Sequence, residues 1–311
     1  MRMNQSGSSM IIAKLGESVG RLSAEQLNKL NNCPKLASLH SIYEALGSLL
    51  ESDHSYLAQI AELIGRDPPL TSRLLKLVNS VFYGSEQPCT NIEEATLAAG
   101  LDQISELILS TPVIEDLQNL QGEDSPVDWT EFWRHSIATA ILTREVYSLC
   151  KPDSQGDSDY IAGLIHNIGK IILALVFPDE FRQIANGRAT TTQEELEQEV
   201  KLAGADHAAL GAYYLHAHKL PAEIIESTLF HNQPRHAVLR PRLTAAVQVA
   251  ASLAHAAGVP GIEKPSPPSW QDIESLEGWH ALFGEDPPPP YVRTSLEPTM
   301  DSLQFFLASM V

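Results

Sequence analysis

Basic residues are scarce in this chain: 21 Lys and Arg stand against 39 Asp and Glu, a formal charge of −18. A field of that sign repels phosphate backbones and anionic headgroups, and no local basic stripe relieves it. Nucleic acid and membrane surfaces are therefore excluded as partners. Cysteine is nearly absent. Cys33, Cys89 and Cys150 are odd in number and far apart, giving neither a disulfide framework nor a thiolate metal site, as suits a reducing cytosol. No apolar run approaches the roughly 18 residues of a membrane span. The opening "MRMNQSGSSMIIAK" lacks the apolar core of a signal peptide. Together these absences predict a soluble, cytoplasmic protein. Aromatics reach only 6%, which weighs against a β-rich fold.

What the chain does have is Leu, Ala and Ile within a hydrophobic fraction of 43% over 311 residues. That is enough for one large domain or two modest ones, with helix favoured. Helix punctuation recurs throughout. Ser23 with Gln26, Asn91 with Glu94 and Thr192 with Glu195 read as capping boxes. Asp67-Pro68, Pro221 and Pro241 read as helix starts, and Gly100, Gly204 and Gly258 as left-handed stops. Apolar residues keep helical spacing, as in Leu57, Ile60, Ala61 and Ile64, and no stretch alternates with a period of two. The fold class predicted is all-α.

Composition divides the chain into an N-terminal extension (1–21), a helical lobe (22–122), a second helical lobe (123–258) and a proline-rich tail (259–311). The polar stretch "LQGEDSPVD" marks the junction of the lobes. "VPGIEKPSPPSW" and "EDPPPPYVR" predict an extended strap, followed by a short amphipathic helix, "LEPTMDSLQFFLASM". Its apolar residues Leu303, Phe306, Leu307 and Met310 are expected to dock on the body.

Histidine carries the chemistry. "WTEFWRHSIATAILTREVYSLC", capped by Asp128 and Glu131, is apolar nearly all round and predicts a central helix with His135 inside. "IAGLIHNIGKIIL" predicts a second central helix over about 159–176, with His166-Asn167 at its middle. A His followed by an acid here would suggest a buried metal site, but the second residue is an amide. Gly163 and Gly169 in that helix imply close packing, since mid-helix Gly costs about 1 kcal/mol against Ala. His207 and His231 fall at helix ends, from which an imidazole can turn inward. His216, His218, His236, His255 and His280 are assigned to the surface. Four histidines on four helices form no local motif, so spacing alone establishes no site.

Several ordered segments resemble a known family. "IAELIGRDPPLTSRLLKLVNSVFYG" (60–84), "NIEEATLAAGLDQISELIL" (91–109), "FWRHSIATA", "AGLIHNIGK", "DHAALGAYYL" and "LPAEIIESTLFHNQP" follow one another as in the HDOD domain, the HD-related output domain of bacterial signalling proteins. The resemblance covers about 25–257 and implies a two-lobed helical architecture with an HD-like bundle. Its second half is similar to the HD metal-dependent phosphohydrolases, which hold one or two cations with His, a His-Asp pair and a later Asp. The resemblance matches the first His to His135 and the pair to His166-Asn167. It matches additional histidines to His207 and His231, and the late Asp to Ala251 within "VAASLA".

Both carboxylates of that site are thus replaced. An Asn offers one neutral oxygen and Ala none, so a two-ion hydrolytic centre is poorly supported. Two readings of the surviving imidazoles stay open: they satisfy one another as core residues, or they hold one transition-metal ion, Zn, Ni or Fe. Arg134 and Lys170 flank the two helix histidines as candidate anion contacts. The functional expectation is a non-catalytic regulatory module that docks other signalling proteins and needs no cofactor. A weak metal-dependent phosphohydrolase and a nucleotide-sensing pocket are the alternatives.

Overall fold

A computed structural model describes residues 2–33, 127–150, 158–187, 189–218, 220–262, 266–284 and 290–310. The segments 60–84 and 91–109, with their capping signals and Cys89, lie outside the described residues. Among the described residues the fold is all-α, with one 3-10 turn (Pro234–His236) and no strand. The chain divides into two compact units, 1–35 with 122–296 and 36–121 with 297–311. All four histidines of the expected site fall in the first unit.

The helices of that unit are α1 (Arg2–Val19), α2 (Ala24–Asn31), α3 (Trp129–Cys150), α4 (Ser158–Ile165), α5 (Ile168–Val176), α6 (Pro178–Ala185), α7 (Thr192–Ala203), α8 (His207–Ala217), α9 (Ala222–Phe230), α10 (Pro241–Ala256), α11 (Trp270–Glu274), α12 (Glu277–Phe283) and the start of α13 (Pro290–Met310). α3 is central, packed between α10 and α4. It buries Trp129, Phe132, Trp133, Ile137, Leu142, Val146 and Tyr147, and each such large side chain contributes about 1.5–3 kcal/mol. α8 packs on α5 and α9, while α1 lies across α8 and α9. Gln26 Nε2 donates to the Ala203 carbonyl, and Tyr213 donates to Asn31. These bonds tie the first two helices to the bundle.

Local signals mostly act where the residues place them. Ser23 and Gln26 form the capping box of α2. Asp128 accepts from Thr130 N at the start of α3, and Gly204 closes α7 at φ 87°. The cap of α7 is Thr191, which accepts from Glu194 N, one residue earlier than the spacing suggests. Glu226 is fully buried and accepts backbone N–H groups from Val238, Leu239 and Arg240 at 2.6–2.9 Å, anchoring the entry to α10.

Four expectations differ from what is observed. The helix predicted over 159–176 is two helices, because the chain turns at His166-Asn167, with Asn167 at φ −97°, ψ 13°. Contrary to the expectation that no apolar run approaches the length of a membrane span, Asp159–Val176 is, among the described residues, apolar and long enough to cross a membrane, and 89% of it is buried inside the protein. Thirdly, His255 is buried rather than at the surface. Fourthly, most of the described residues past 262 form helices rather than a strap. Pro267 and Pro268 precede the Ser269–Asp272 capping box of α11, and Pro290 opens α13, so most of the described prolines of this region stand outside helix interiors. Pro298 is the exception, inside α13. Leu303 and Leu307 are buried, whereas the side chains of Phe306 and Met310 lie outside the described residues.

Candidate functional site

Close backbone approach sets the site. A Cβ on Gly163 would stand 2.6 Å from Ala140 Cα, so α4 presses directly on α3. A Cβ on Gly169 would collide with the His207 carbonyl, and one on Gly211 would lie 2.9 Å from Gly169 N. α5 and α8 therefore cross glycine to glycine, which brings His207 towards His166. The tight packing inferred from Gly163 and Gly169 has this origin.

All four matched histidines are buried and come together. Ring centroids are 5.6 Å apart for His135 and His166, 5.2 Å for His166 and His231, and 5.5 Å for His231 and His207. The rings thus form a row. Each has its Nδ1 engaged. His135 donates to the Val259 carbonyl at 2.7 Å, His166 to Gly163 at 2.7 Å and His231 to Thr228 at 2.8 Å. A carbonyl can only accept, so the Nδ1–H tautomer is fixed in these three, with Nε2 carrying the lone pair. Asn232 donates to Nε2 of His231 at 3.0 Å. Gly261, at φ 70°, lies against the His135 ring, where a Cβ would sit 2.9 Å from His135 Cβ.

His207 differs from the others. Its Nδ1 lies 2.7 Å from Glu199 Oε2, and the same oxygen accepts the His207 backbone N–H at 2.8 Å. Burial pushes the His207 pKa down, but the Glu199 carboxylate outweighs it and the net shift is upward. Burial likewise opposes ionisation of Glu199, and the His207 imidazolium outweighs it, lowering that pKa. His166 moves the other way. Burial first, then the neighbouring His231 and His135, hold its pKa well below the ordinary 6.5, so the ring is neutral. Nε2 of His166 and Nε2 of His207 find no hydrogen-bond partner among the described residues. Mutual satisfaction of the imidazoles therefore does not extend to these two.

The candidate anion contacts are already paired. Lys170, buried, lies 3.1 Å from Glu195, and Arg134 lies 3.2 Å from Glu131. Asn167 is buried beside His166, and Ala251 is half-buried on α10. Glu199 is not singled out by the sequence reading, yet a signal is present. Leu196, Glu199 and Ala203 lie three and four apart on the buried side of α7, so an acid occupies an apolar stripe.

The donor set does not fit a two-cation hydrolytic centre. The two positions that the resemblance matches to carboxylates, Asn167 and Ala251, hold an amide and a methyl group, and Glu199 is committed to His207. Among the described residues no group of three or more His, Cys, Asp and Glu is arranged to hold a metal ion.

Comparison with known proteins agrees with this architecture. The solved structure of an HDOD domain protein from Geobacter sulfurreducens superposes with a TM-score of 0.72 at 21% identity, covering 92% of this chain and 96% of that one. A provisionally named phosphohydrolase of Shewanella amazonensis gives 0.64 at 18% identity, covering 93% and 99%. A provisionally named signal transduction protein of Marinobacter aquaeolei gives 0.63 at 17%, covering 99% and 66%. At such identities the likeness concerns the fold. An uncharacterized protein of Treponema pallidum is 26% identical over 218 residues, 70% of this chain, which spans about two fifths (41%) of that relative's length. The sequence profile of the HDOD domain matches residues 36–234. The chain belongs to the HDOD family.

Proposed function

We propose that this HDOD chain is a non-catalytic regulatory module that relays a signal by docking another protein in the bacterial cytoplasm. One observation carries the reading: where HD phosphohydrolases resembling this lobe place two carboxylates, it has Asn167 and Ala251. Without them, nothing offsets the charge of a second cation or orients a nucleophilic water. The net charge of −18 selects a partner with a basic or neutral face and disfavours nucleic acid. A structural neighbour named for signal transduction is in keeping with this role.

A second reading, weak metal-dependent hydrolysis of phosphoesters at a single ion, draws on the imidazole nitrogens of His166 and His207 that find no hydrogen-bond partner among the described residues. Assays of the purified chain with Mn²⁺, Fe²⁺ or Ni²⁺, on nucleotide and cyclic dinucleotide substrates, separate the two. The regulatory reading expects the same blank-level rate from the natural chain and from His166→Ala. Turnover that His166→Ala abolishes would overturn it.

A further inference from the structure

Helices α1 and α2 precede residues 36–234, which match the HDOD profile, yet both pack on helices inside it. α1 lies on α8 and α9, and α8 needs that cover. Ala208, Ala209, Leu210, Ala212, Tyr214 and Leu215 are all buried, so α8 is apolar nearly all round. Such a helix requires a neighbour on every side. α5 takes the side of Gly211, α9 takes another, and α1 supplies a third.

The two N-terminal helices are held in different ways. The bonds from Gln26 to the Ala203 carbonyl and from Tyr213 to Asn31 both involve α2, whose start also carries a full capping box. α1 engages the bundle by a stripe of side chains four apart: Ile11, Leu15 and Val19 are buried. Lys14 and Ser18 spend their side-chain bonds inside α1, on Glu17 and on the Lys14 carbonyl. Helix formation is weakly encoded there, since "SGSS" and Gly16 fall within α1, and Gly and Ser are poorer helix formers than Ala. A Cβ on Gly16 would meet nothing within 4 Å, so packing does not require that glycine.

Charge points to what can take the place of α1. In a chain of −18, α1 has Arg2 and Lys14 against Glu17 alone, a basic-leaning helix on an acidic body. Release into water would expose the apolar side of α8, so exchange for another helix of like character costs less. A second copy of the chain would bring its own −18 and be repelled. We propose that α1 is the built-in occupant of a helix-binding groove on α8 and α9. A basic amphipathic helix of a partner protein, with aliphatic residues at i, i+4 and i+8, displaces it. This deepens the docking role proposed above and rests on it.

Fluorescence anisotropy with the full chain tests this. The labelled peptide has a sequence unrelated to α1, keeps Ile, Leu and Val at i, i+4 and i+8, and carries two lysines; an acidic counterpart has glutamates in their place. α1 competes with the peptide, so apparent affinity falls as α1 is held more firmly. Leu15→Asp, which loosens α1, should bind the lysine peptide about tenfold or more tightly than the natural chain does. Gly16→Ala, which firms α1 without a clash, should bind it about fivefold more weakly. The acidic peptide should bind less well than the lysine one, by a margin that shrinks as salt rises. Thermal melts report that both variants fold. Hydrogen exchange needs no ligand and decides the matter if Leu15→Asp does not fold: amides of α1 should exchange faster than those of α8, and Gly16→Ala should slow them about fivefold. No binding to a folded Leu15→Asp chain, preference for the acidic peptide, or α1 amides as slow as those of α8 overturns the proposal. So does a dimer of the natural chain, seen by sedimentation, that Leu15→Asp dissociates, because the occupant would then be a second copy. None of these results bears on the turnover assay, so the non-catalytic reading stands or falls separately.

Discussion

Burial alone would strip the proton from His207 and keep Glu199 from ionising. The 2.7 Å contact reverses both tendencies, so the two hold each other charged in the core. Breaking such a pair from one side costs about 3–5 kcal/mol, because the remaining charge is left buried. The sign of the pH dependence follows from the directions. The raised His207 pKa contributes stability that is complete below its ordinary 6.5 and is lost as pH climbs through the folded value. The lowered Glu199 pKa contributes stability present above its ordinary 4.5 and lost as pH falls through the folded value. The gap in melting temperature between the natural chain and Glu199→Gln should therefore be widest between pH 4.5 and 6.5 and narrow in alkali. A gap independent of pH would refute the charged pair. The glycine crossing makes a second residue-level prediction: Gly211→Ala, with its methyl 2.9 Å from Gly169 N, should cost about 1–3 kcal/mol in a denaturant melt. Gly169→Ala, facing the His207 carbonyl itself, should cost more.

Among the elements, the described residues from Val259 through α12, expected from sequence to be an extended strap, pack into the body of the first unit. Val259 supplies the carbonyl that orients His135. Gln248 on α10 accepts from Gly278 N and donates to the Asn232 carbonyl, clasping α12 to the turn after α9. Trp279, 1% exposed, packs against Trp270 and Phe283. Trp279→Ala should cost about 3–5 kcal/mol in a reversible melt, as for other large buried aromatics, and cutting the chain after Gly258 should leave no cooperative transition. A chain ending at 258 that melts as cooperatively as the whole would contradict this. The same region marks a limit of legibility in the sequence. Helices α2, α3, α9 and α10 are legible because a cap or a starting proline marks the beginning of each. The break at His166-Asn167 is hidden because apolar spacing runs on through it; only the crossing with α8 demands the turn. The prolines past Val259 suggest an extended strap, although a proline ahead of a cap or at a first turn starts a helix. The four histidines are legible one by one from their helices. Their assembly into a row is not, since it depends on contacts between elements far apart in sequence.

For the molecule as a whole, charge decides more than shape does. The surface field of −18 predicts no retardation of duplex DNA or RNA in a gel shift at physiological salt; a shift that salt abolishes would contradict it. The second lobe buries imidazoles with fixed Nδ1 partners, and on the proposed reading Asn167 and Ala251 stand where the family resemblance matches the carboxylates a cation pair requires. Metal content after equilibration with Mn²⁺ or Fe²⁺ and desalting tests this most directly, comparing the natural chain with Asn167→Asp/Ala251→Asp. Fewer than two ions per natural chain, with a gain in the double variant, is the expected result. Two tightly held ions in the natural chain would show that imidazoles suffice, and the claim that this site lost its chemistry with its carboxylates would be wrong.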